Sequence, residues 1–469
     1  MKYLAFFRKR PLLFEIVNPL NKFIKMEAFS GILLMFVTVL ALLLANSPFS
    51  DSYFAFFRNT ITLAVENFEL SKPLILWIND GLMAVFFLLV GLEIKRETQT
   101  GELSTLKSAA LPAFAAIGGM LVPAVFYEMF NYDGVGWSGW GIPMATDIAF
   151  ALGVMTLLGK RVPLSLKLFL TALAIVDDIG AVVVIALFYT SKISVAALII
   201  AGVLFVLLIL MNSLKVYRVS IYLFLGFFLW LALLKSGVHA TIAGVLLAMA
   251  IPGKSKSTVN ECVSFNQAVL DRLRDQPYDP DDNPKKNRKL IHAIFTIGNN
   301  CTHAISPLLR LEYSLHSWVA YFIIPLFAFA NAGVVFRGDL IADIGNPISV
   351  GIFAGLVLGK PVGIGIFTWF ATKFRLAALP PGIKWRHIIG VGFLGGIGFT
   401  MSIFIDNLAF ATDPYTLEIA KVGILFSSLV AGTIGYVVLY LSGPPVKKKS
   451  IIIKVKETAK NVDSKTFNT

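Results

Sequence analysis

Four charged side chains lie in stretches that are otherwise apolar enough to cross a membrane. They are Asp147, Asp177, Asp178 and Lys360. One charge at the centre of a spanning helix opposes insertion by about 2.5–3.5 kcal/mol, and four unpaired ones would oppose it by roughly 10 kcal/mol. A structural ion pair between Lys360 and one aspartate is the alternative, but it leaves two carboxylates unexplained. The group therefore indicates a functional site inside the membrane.

Closely spaced carboxylates that are shielded from water hold either protons or a small hard cation such as Na⁺ or Li⁺. The hydroxyl of Thr146, beside Asp147, adds a neutral oxygen ligand. Lys360 is itself a candidate proton carrier once it is removed from water. Competition of protons and a cation for one site that opens alternately to each side is an exchange mechanism. The sequence thus favours a cation/proton exchanger.

The spacing of the aspartates predicts one shared site. A turn near Val162 lies fifteen residues from both Asp147 and Asp177. In an antiparallel helix pair both then lie about 22 Å from the turn, near the bilayer midplane. Asp177 and Asp178 are about 100° apart around their helix. One of them can face Asp147 while the other meets Lys360.

These residues belong to a chain with the composition of a membrane protein. Of its 469 residues 57% are hydrophobic and 15% are charged, and the mean hydropathy is +0.76. A spanning helix needs about 20 apolar residues, and the pattern predicts an all-α polytopic membrane protein in one transmembrane domain, 1–469. The twelve predicted spans are 28–46, 74–96, 108–129, 137–158, 164–189, 193–212, 217–235, 238–251, 312–335, 347–372, 386–407 and 417–441.

The net charge of +13 does not indicate a nucleic-acid partner, because the basic residues are segregated to one side of the predicted membrane. That side holds the N-terminal segment 1–27, the loop 253–311 and the tail 443–469, so both termini are predicted to be cytoplasmic. The loop is predicted as a linker with one short amphipathic helix near 290–297, and the tail as a contact for anionic lipid headgroups. The six basic residues predicted on the opposite side are Arg58, Lys72, Lys192, Lys235, Arg337 and Lys421.

Two spans carry helix breakers. Gly141 and Pro143 lie in the fourth, and five glycines crowd into 390–398 of the eleventh, just before Thr400. Breakers inside a span are tolerated where neighbours or a cavity satisfy the freed backbone groups. Close helix packing is the other explanation for the glycines. Interruption is favoured, because broken helices in corresponding positions are typical of transport sites.

A second polar cluster is predicted where the second span ends and the ninth begins. Its members, at spacings of three and four residues, are Glu93, Arg96, Glu97, Glu312 and His316. Such residues are usually solvated helix ends, and the sequence alone favours that reading over a pH sensor, although His316 can titrate in the physiological range.

Six stretches, in this order, resemble motifs of the NhaA-type sodium/proton antiporter family over nearly the whole chain. They are 145–153 (ATDIAFALG), 174–181 (AIVDDIGA), 235–241 (KSGVHAT), 325–333, 359–361 (GKP) and 396–403 (GIGFTMSI). The resemblance implies twelve helices in two inverted repeats, with the interrupted helices 4 and 11 crossing near the ion site. It also implies electrogenic exchange of Na⁺ or Li⁺ for protons in the bacterial inner membrane, serving pH and sodium homeostasis, with no enzymatic activity and no cofactor.

The resemblance assigns roles to the charged residues as well. Asp178 would be the principal cation ligand, assisted by Asp147 and Thr146, while Asp177 would pair with Lys360 and carry protons. The cluster of Glu93, Arg96, Glu97, Glu312 and His316 would sense pH. The polar stretch 47–73 is similar to a periplasmic hairpin that makes dimer contacts, which implies a homodimer.

Three other functions remain open from the residues alone. An intramembrane aspartyl protease also uses two aspartates, but its Gly-x-Gly-Asp motif is missing, because Asp177 follows Ala174, Ile175 and Val176. A passive cation channel would need no titrating Lys360. A sodium-coupled transporter of organic anions would need a free intramembrane cation, whereas Lys360 is predicted to be paired.

Overall fold

The structure, a computed structural model, describes residues 18–65, 68–101, 103–190, 193–274, 288–336, 340–380 and 382–443. Most of the predicted N-terminal segment 1–27 and of the predicted tail 443–469 lies outside these ranges.

The described chain is almost entirely helical, with one β-hairpin. The elements before the long loop are α1 (Asn18–Ala45), α2 (Ser50–Arg58), β1 (Thr60–Val65), β2 (Phe68–Pro73), α3 (Leu74–Thr100), α4 (Leu106–Asn131), a 3₁₀ segment (Val135–Met144), α5 (Ile148–Leu157), a 3₁₀ turn (Gly159–Arg161), α6 (Leu164–Phe188), α7 (Val195–Ser213), α8 (Val219–Ser236) and α9 (Ile242–Ala250). The rest are α10 (Val259–Arg274), α11 (Arg288–Ala304), α12 (Pro307–Asn331), α13 (Leu340–Gly345), α14 (Pro347–Lys373), α15 (Trp385–Gly395), α16 (Phe399–Ala409) and α17 (Pro414–Leu441).

Eight helices among the described residues are long and apolar enough to cross a membrane, or up to eleven spans if each sharply bent pair counts as one. The predicted class of polytopic helical membrane protein is confirmed. The predicted eighth span, 238–251, corresponds to the nine-residue helix α9, which is shorter than the other spans. The count of twelve therefore stays a prediction.

Lipid-facing surface explains why these helices need no polar outer face. Helix α7 is the clearest case, because only 11% of its most apolar window is buried within the protein. Its exposed side chains include Ile199, Val203 and Val206. In water such a surface would be unfavourable, whereas in a bilayer it is solvated by acyl chains.

The segment 253–311 differs from the prediction of a linker with one short helix. Two amphipathic helices, α10 and α11, pack against each other there, and the amide of Asn266 contacts the sulfurs of Cys262 (3.4 Å) and Cys301 (3.3 Å). Apolar residues recur at helical spacing in both helices, but the intervening aspartates, prolines and lysines outweighed that pattern in the sequence. Helix α12 also begins at Pro307, earlier than predicted, because Ser306 caps it.

The segment 47–73 contains the hairpin, with β1 and β2 antiparallel and Thr60 opposite Pro73. Within the described residues the fold is all-α apart from these two strands. Lys72, at the end of β2, forms an ion pair of 2.7 Å with Asp80 in α3. That contact fixes the hairpin to the first turns of a spanning helix.

Close contact between α4 and α14 positions Lys360. A Cβ atom on Gly363 would lie 2.1 Å from the carbonyl oxygen of Gly118, so the two backbones touch where the helices cross. Just before Lys360, the turn Ala354–Gly359 is π-helical. Pro361 has no N–H to continue regular α-helical bonding at this point, and such wide turns are frequent at functional sites.

Candidate ion-binding site

The predicted interruptions of the fourth and eleventh spans are confirmed, and the two breaks meet. Val135–Met144 and α5 are bent by 47°, and α15 and α16 by 44°. The chain between the first pair is extended at Ala145 and Asp147, whereas Gly396 and Gly398 in the second break keep helix-like backbone angles. The backbone N–H of Asp147 donates to the carbonyl of Ile397 (2.7 Å), and the hydroxyl of Thr146 donates to the carbonyl of Gly395 (2.8 Å). Each break therefore satisfies backbone groups that the other leaves free, as the membrane interior requires.

The Asp147 carboxylate lies between two helix N-termini. Its Oδ1 accepts from the backbone of Phe150 (2.9 Å), which caps α5. Its Oδ2 accepts from the backbone (3.1 Å) and the hydroxyl of Thr400, in the first turn of α16. Helix N-termini favour negative charge through their free N–H groups and aligned dipoles. This geometry stabilises an anion, or a cation bound to that anion, at the crossing.

Lys360 connects the fourth, fifth and tenth predicted spans. Its ammonium donates to Oδ2 of Asp177 (2.6 Å) and to the hydroxyl of Thr146 (2.9 Å). The side chains of Lys360 and Asp177 are 0% and 1% exposed, so the charges are fully shielded from solvent. The pairing of Lys360 with one aspartate, proposed from sequence, is therefore present, and Asp177 is that aspartate.

Asp178 is buried beside this pair, and its Oδ1 has no hydrogen-bond partner in the described part of the chain. The charges that act on it are Asp177, Glu93, Asp147 and Lys360. Of the three aspartates it is the least constrained by protein hydrogen bonds, because Asp147 is held by α16 and Asp177 by Lys360. It is thus the carboxylate best placed to bind an ion.

The predicted ligand set for a cation, Asp178, Asp147 and Thr146, combines two carboxylates with a neutral hydroxyl. Among the described residues, no group of three or more His, Cys, Asp or Glu side chains is close enough to hold a metal ion. The hydroxyl of Thr146 already donates to one carbonyl and accepts from Lys360. A hydroxyl oxygen has two acceptor positions, so one remains for a cation.

The second predicted cluster is also assembled in space. Arg96 donates to Glu97 (2.5 Å) and to Glu312 (2.8 Å), which joins α3 to α12. His316 lies 3.9 Å from the carboxylate of Glu93. Glu93 in turn is one of the charges that act on Asp178. The five residues form one partly buried network that reaches from the helix ends toward the ion site.

Sequence reasoning missed three polar residues of this region. Thr400 follows the glycine-rich break directly, and that position was the available signal for its contact with Asp147. Asp406 lies one residue before the end of the predicted span 386–407 and was not among the predicted site residues, but it is 0% exposed in α16. Lys421 was assigned to the far side of the membrane, but it lies within α17 and interacts electrostatically with Asp406.

Two sharply bent helix pairs that meet, with a buried set of three aspartates, a lysine and a threonine beside them, define a polytopic helical membrane protein with a polar site in its interior. Comparison with known proteins narrows this class. The sequence profile of the family "Na+/H+ antiporter 1" matches residues 21–439, and the chain belongs to that family.

The similarity to individual relatives agrees with this family assignment. The chain is 51% identical to the Na(+)/H(+) antiporter NhaA of Oleidesulfovibrio alaskensis over 433 residues, which cover 91% of this chain and 94% of the relative. It is 48% identical to the Na(+)/H(+) antiporter NhaA of Citrobacter koseri over 420 residues, covering 89% and 96%. Identity to the protein of the same name from Escherichia coli (strain UTI89 / UPEC) is 47% over 420 residues, with the same coverage.

Proposed function

We propose that the protein is an electrogenic antiporter that exports Na⁺ or Li⁺ in exchange for protons across the bacterial inner membrane. One observation carries the proposal. A buried Asp178 carboxylate with an unbonded oxygen lies beside the Asp177–Lys360 pair, at the crossing of two broken helices. The names of the relatives support the same exchange.

Competition for the carboxylates couples the two ions. Na⁺ binds Asp178, Asp147 and the hydroxyl of Thr146, and this set matches the oxygen ligands that hard cations prefer. Binding requires the ionised form of Asp178, so the cation displaces a proton. A second proton leaves the Asp177–Lys360 pair as the cation's charge repels the nearby ammonium. More protons than Na⁺ then move in each cycle, and the exchange carries net charge.

Alternating access follows from the two breaks. The bends of 47° and 44° are similar in size. Two similar breaks support a pair of inverted repeats, with interrupted helices 4 and 11 and twelve spans in all. The basic residues gathered on one side support cytoplasmic termini. The hairpin Thr60–Pro73 then lies on the periplasmic side, where it is the proposed homodimer contact.

Regulation by pH is proposed for the network of Glu93, Arg96, Glu97, Glu312 and His316. The contacts Arg96–Glu312 and Glu93–His316 join α3 to α12, so a change of protonation in one member alters the attraction between the two helices. Glu93 also acts electrostatically on Asp178. The network therefore lies where a change of charge affects ion binding.

Everted membrane vesicles with a respiration-driven pH gradient test the exchange. Addition of Na⁺ is expected to dissipate the gradient in vesicles that contain the wild-type protein. Asp178→Asn is expected to abolish the effect at equal expression, whereas Asp51→Asn, at an exposed position in α2, keeps it. If Na⁺ leaves the gradient intact at every pH while the protein is folded, the antiporter proposal is wrong. Proton-independent Na⁺ flux would favour the channel instead.

A further inference from the structure

Asp406 is a second buried acid in the membrane domain, separate from the ion site. It lies near the end of α16 and is 0% exposed. Neither oxygen of its carboxyl group has a hydrogen-bond partner in the part of the chain that the structure describes. An ionisable group in a spanning segment is costly, and an unbonded one more so. Packing alone gives no reason for an aspartate at this position.

The surroundings of Asp406 contain one cation and several titratable groups. Lys421 in α17 attracts it electrostatically, and Glu418 acts on the same lysine. Tyr127 at the end of α4 and Tyr189 at the end of α6 also interact electrostatically with Asp406, and Glu128 acts on both tyrosines. The segment Val135–Met144, which packs against α16, has no ionisable side chain.

The geometry favours a proton over a metal cation at Asp406. The hydroxyls of Tyr127 and Tyr189 already donate to the carbonyls of Gly136 (2.6 Å) and Ser138 (2.8 Å). A bound cation would need several oxygen ligands and would be repelled by the ammonium of Lys421. A proton needs only the carboxylate itself.

The position of Asp406 relates it to the ion site. Thr400, whose hydroxyl donates to Asp147, lies six residues before Asp406 in the same helix. Thr400 and Asp406 are therefore about 9 Å apart along α16. Ser402 lies one turn before Asp406 and donates to the carbonyl of Ile142 in the other broken span (2.7 Å). Asp406 therefore lies between the crossing and the side where α4 ends and α17 begins, which is the periplasmic side in the proposed orientation.

We propose that Asp406 is a second proton-binding site, which takes up the entering proton from the periplasmic side before it reaches the aspartates at the crossing. The Asp406 carboxylate accepts one proton and later releases it inward, so the group returns to its starting charge in each cycle. The ammonium of Lys421 interacts electrostatically with this carboxylate and so influences the pH range in which the site works. This inference rests on the proposed function.

Everted vesicles test the inference because their lumen contacts the periplasmic face. The lumen is loaded with buffers over a pH series at constant external pH, and the initial uptake of radiolabelled Na⁺ is measured. The ratio of the Asp406→Asn rate to the wild-type rate at each luminal pH cancels the change in driving force. We expect the ratio to approach one in acid, where protons are abundant, and to fall on the order of tenfold in alkali.

Three variants and one control separate proton binding at Asp406 from a purely structural role. Asp406→Glu retains a carboxyl group and is expected to restore much of the lost rate at alkaline luminal pH. Lys421→Met keeps Asp406 but removes its cation, so the luminal pH dependence is expected to move to higher pH, while Lys421→Arg leaves it in place. Asp51→Asn, on the same side but exposed, is the matched control, and its ratio should stay at one.

The outcomes are distinct. A ratio for Asp406→Asn that is constant across luminal pH, with no shift in Lys421→Met, overturns the inference and leaves a structural ion pair. Should the Asn variant fail to fold, Lys421→Met alone decides, because its shift requires a titrating Asp406. If the wild-type vesicles show no Na⁺-dependent proton movement, the proposed function fails and not merely this site.

Discussion

The Nζ atom of Lys360 lies 2.6 Å from Oδ2 of Asp177, and both charges are fully shielded from solvent. The pair joins α14 to α6 and, through Thr146, to the broken fourth span. A buried ion pair contributes little net stability, because the desolvation of two charges offsets their attraction. Removal of one partner lowers the stability of the fold, because it leaves an uncompensated buried charge. The pair therefore couples the protonation of the site to the packing of the helices around it.

A double-mutant cycle measures this coupling. Lys360→Met is expected to lower the free energy of unfolding by about 3–5 kcal/mol, because Asp177 loses its partner. Asp177→Asn leaves the lysine unpaired and should cost a similar amount. The double variant is expected to recover most of the loss. Thermal unfolding of the purified protein in detergent gives the values, and additive losses in the double variant would contradict the coupling.

Helix contact at Gly363 gives a prediction with a control two residues away. Gly363→Ala places a Cβ atom 2.1 Å from the carbonyl oxygen of Gly118, so α14 must move away from α4. We expect a loss of stability of about 1–3 kcal/mol and slower Na⁺/H⁺ exchange, because the same helix carries Lys360. At Gly365 a Cβ atom meets nothing within 4 Å, so Gly365→Ala should be neutral. Equal effects of the two variants on unfolding temperature would refute this account.

Much of the fold and site could be predicted from the sequence because membrane insertion makes local composition decisive. Long apolar runs gave the spans, and charges inside them identified Asp147, Asp177, Asp178 and Lys360 without any knowledge of packing. Glycine and proline located both helix breaks. These signals are strong because lipid offers no partner for a charge or for a free backbone group.

The rest depended on contacts that are distant in sequence. The glycine-rich break draws attention to Thr400, but its partner Asp147 is not evident from the local sequence, since 253 residues separate the two. Asp406 lies near a predicted span end, where a solvated carboxylate is ordinary, and only packing of α16 against its neighbours buries it. Helix α10 was missed and α11 was predicted only over 290–297, because each helix covers its apolar face partly with the other.

The network that joins α3 to α12 predicts a change in the pH dependence of exchange. Glu312→Gln keeps the size of the side chain but removes the negative charge that faces Arg96 at 2.8 Å. The loss of one negative charge makes the network as a whole bind protons less tightly. We expect the midpoint of the activity profile to move by up to roughly one unit toward acid.

Vesicle exchange assays over a pH series measure this midpoint. Glu69→Gln, at an exposed position in β2, is the matched control and should leave the profile unchanged. An unshifted midpoint in Glu312→Gln would show that the cluster does not sense pH.

The N-terminus of α17 offers a prediction about stability in acid. Asp413 caps this helix, and its carboxylate accepts from the hydroxyl of Thr416 (2.6 Å) and from the backbone of Thr416 (3.2 Å) and Tyr415 (3.1 Å). These bonds, that of the Thr416 hydroxyl above all, hold the pKa of Asp413 below its usual value of 3.8. The cap therefore stabilises the fold fully at neutral pH, and its contribution is lost as the pH falls below 3.8 through the pKa of the folded state.

Asp413→Ala is expected to lower the unfolding temperature at pH 7, with a smaller difference from wild type in strong acid. Asn caps helices as well as Asp does and does not titrate, so the difference between Asp413→Asn and Asp413→Ala should stay constant across the series. Parallel thermal unfolding of the three proteins makes the comparison, and a wild-type advantage over the Ala variant that is unchanged in acid would exclude the charged cap.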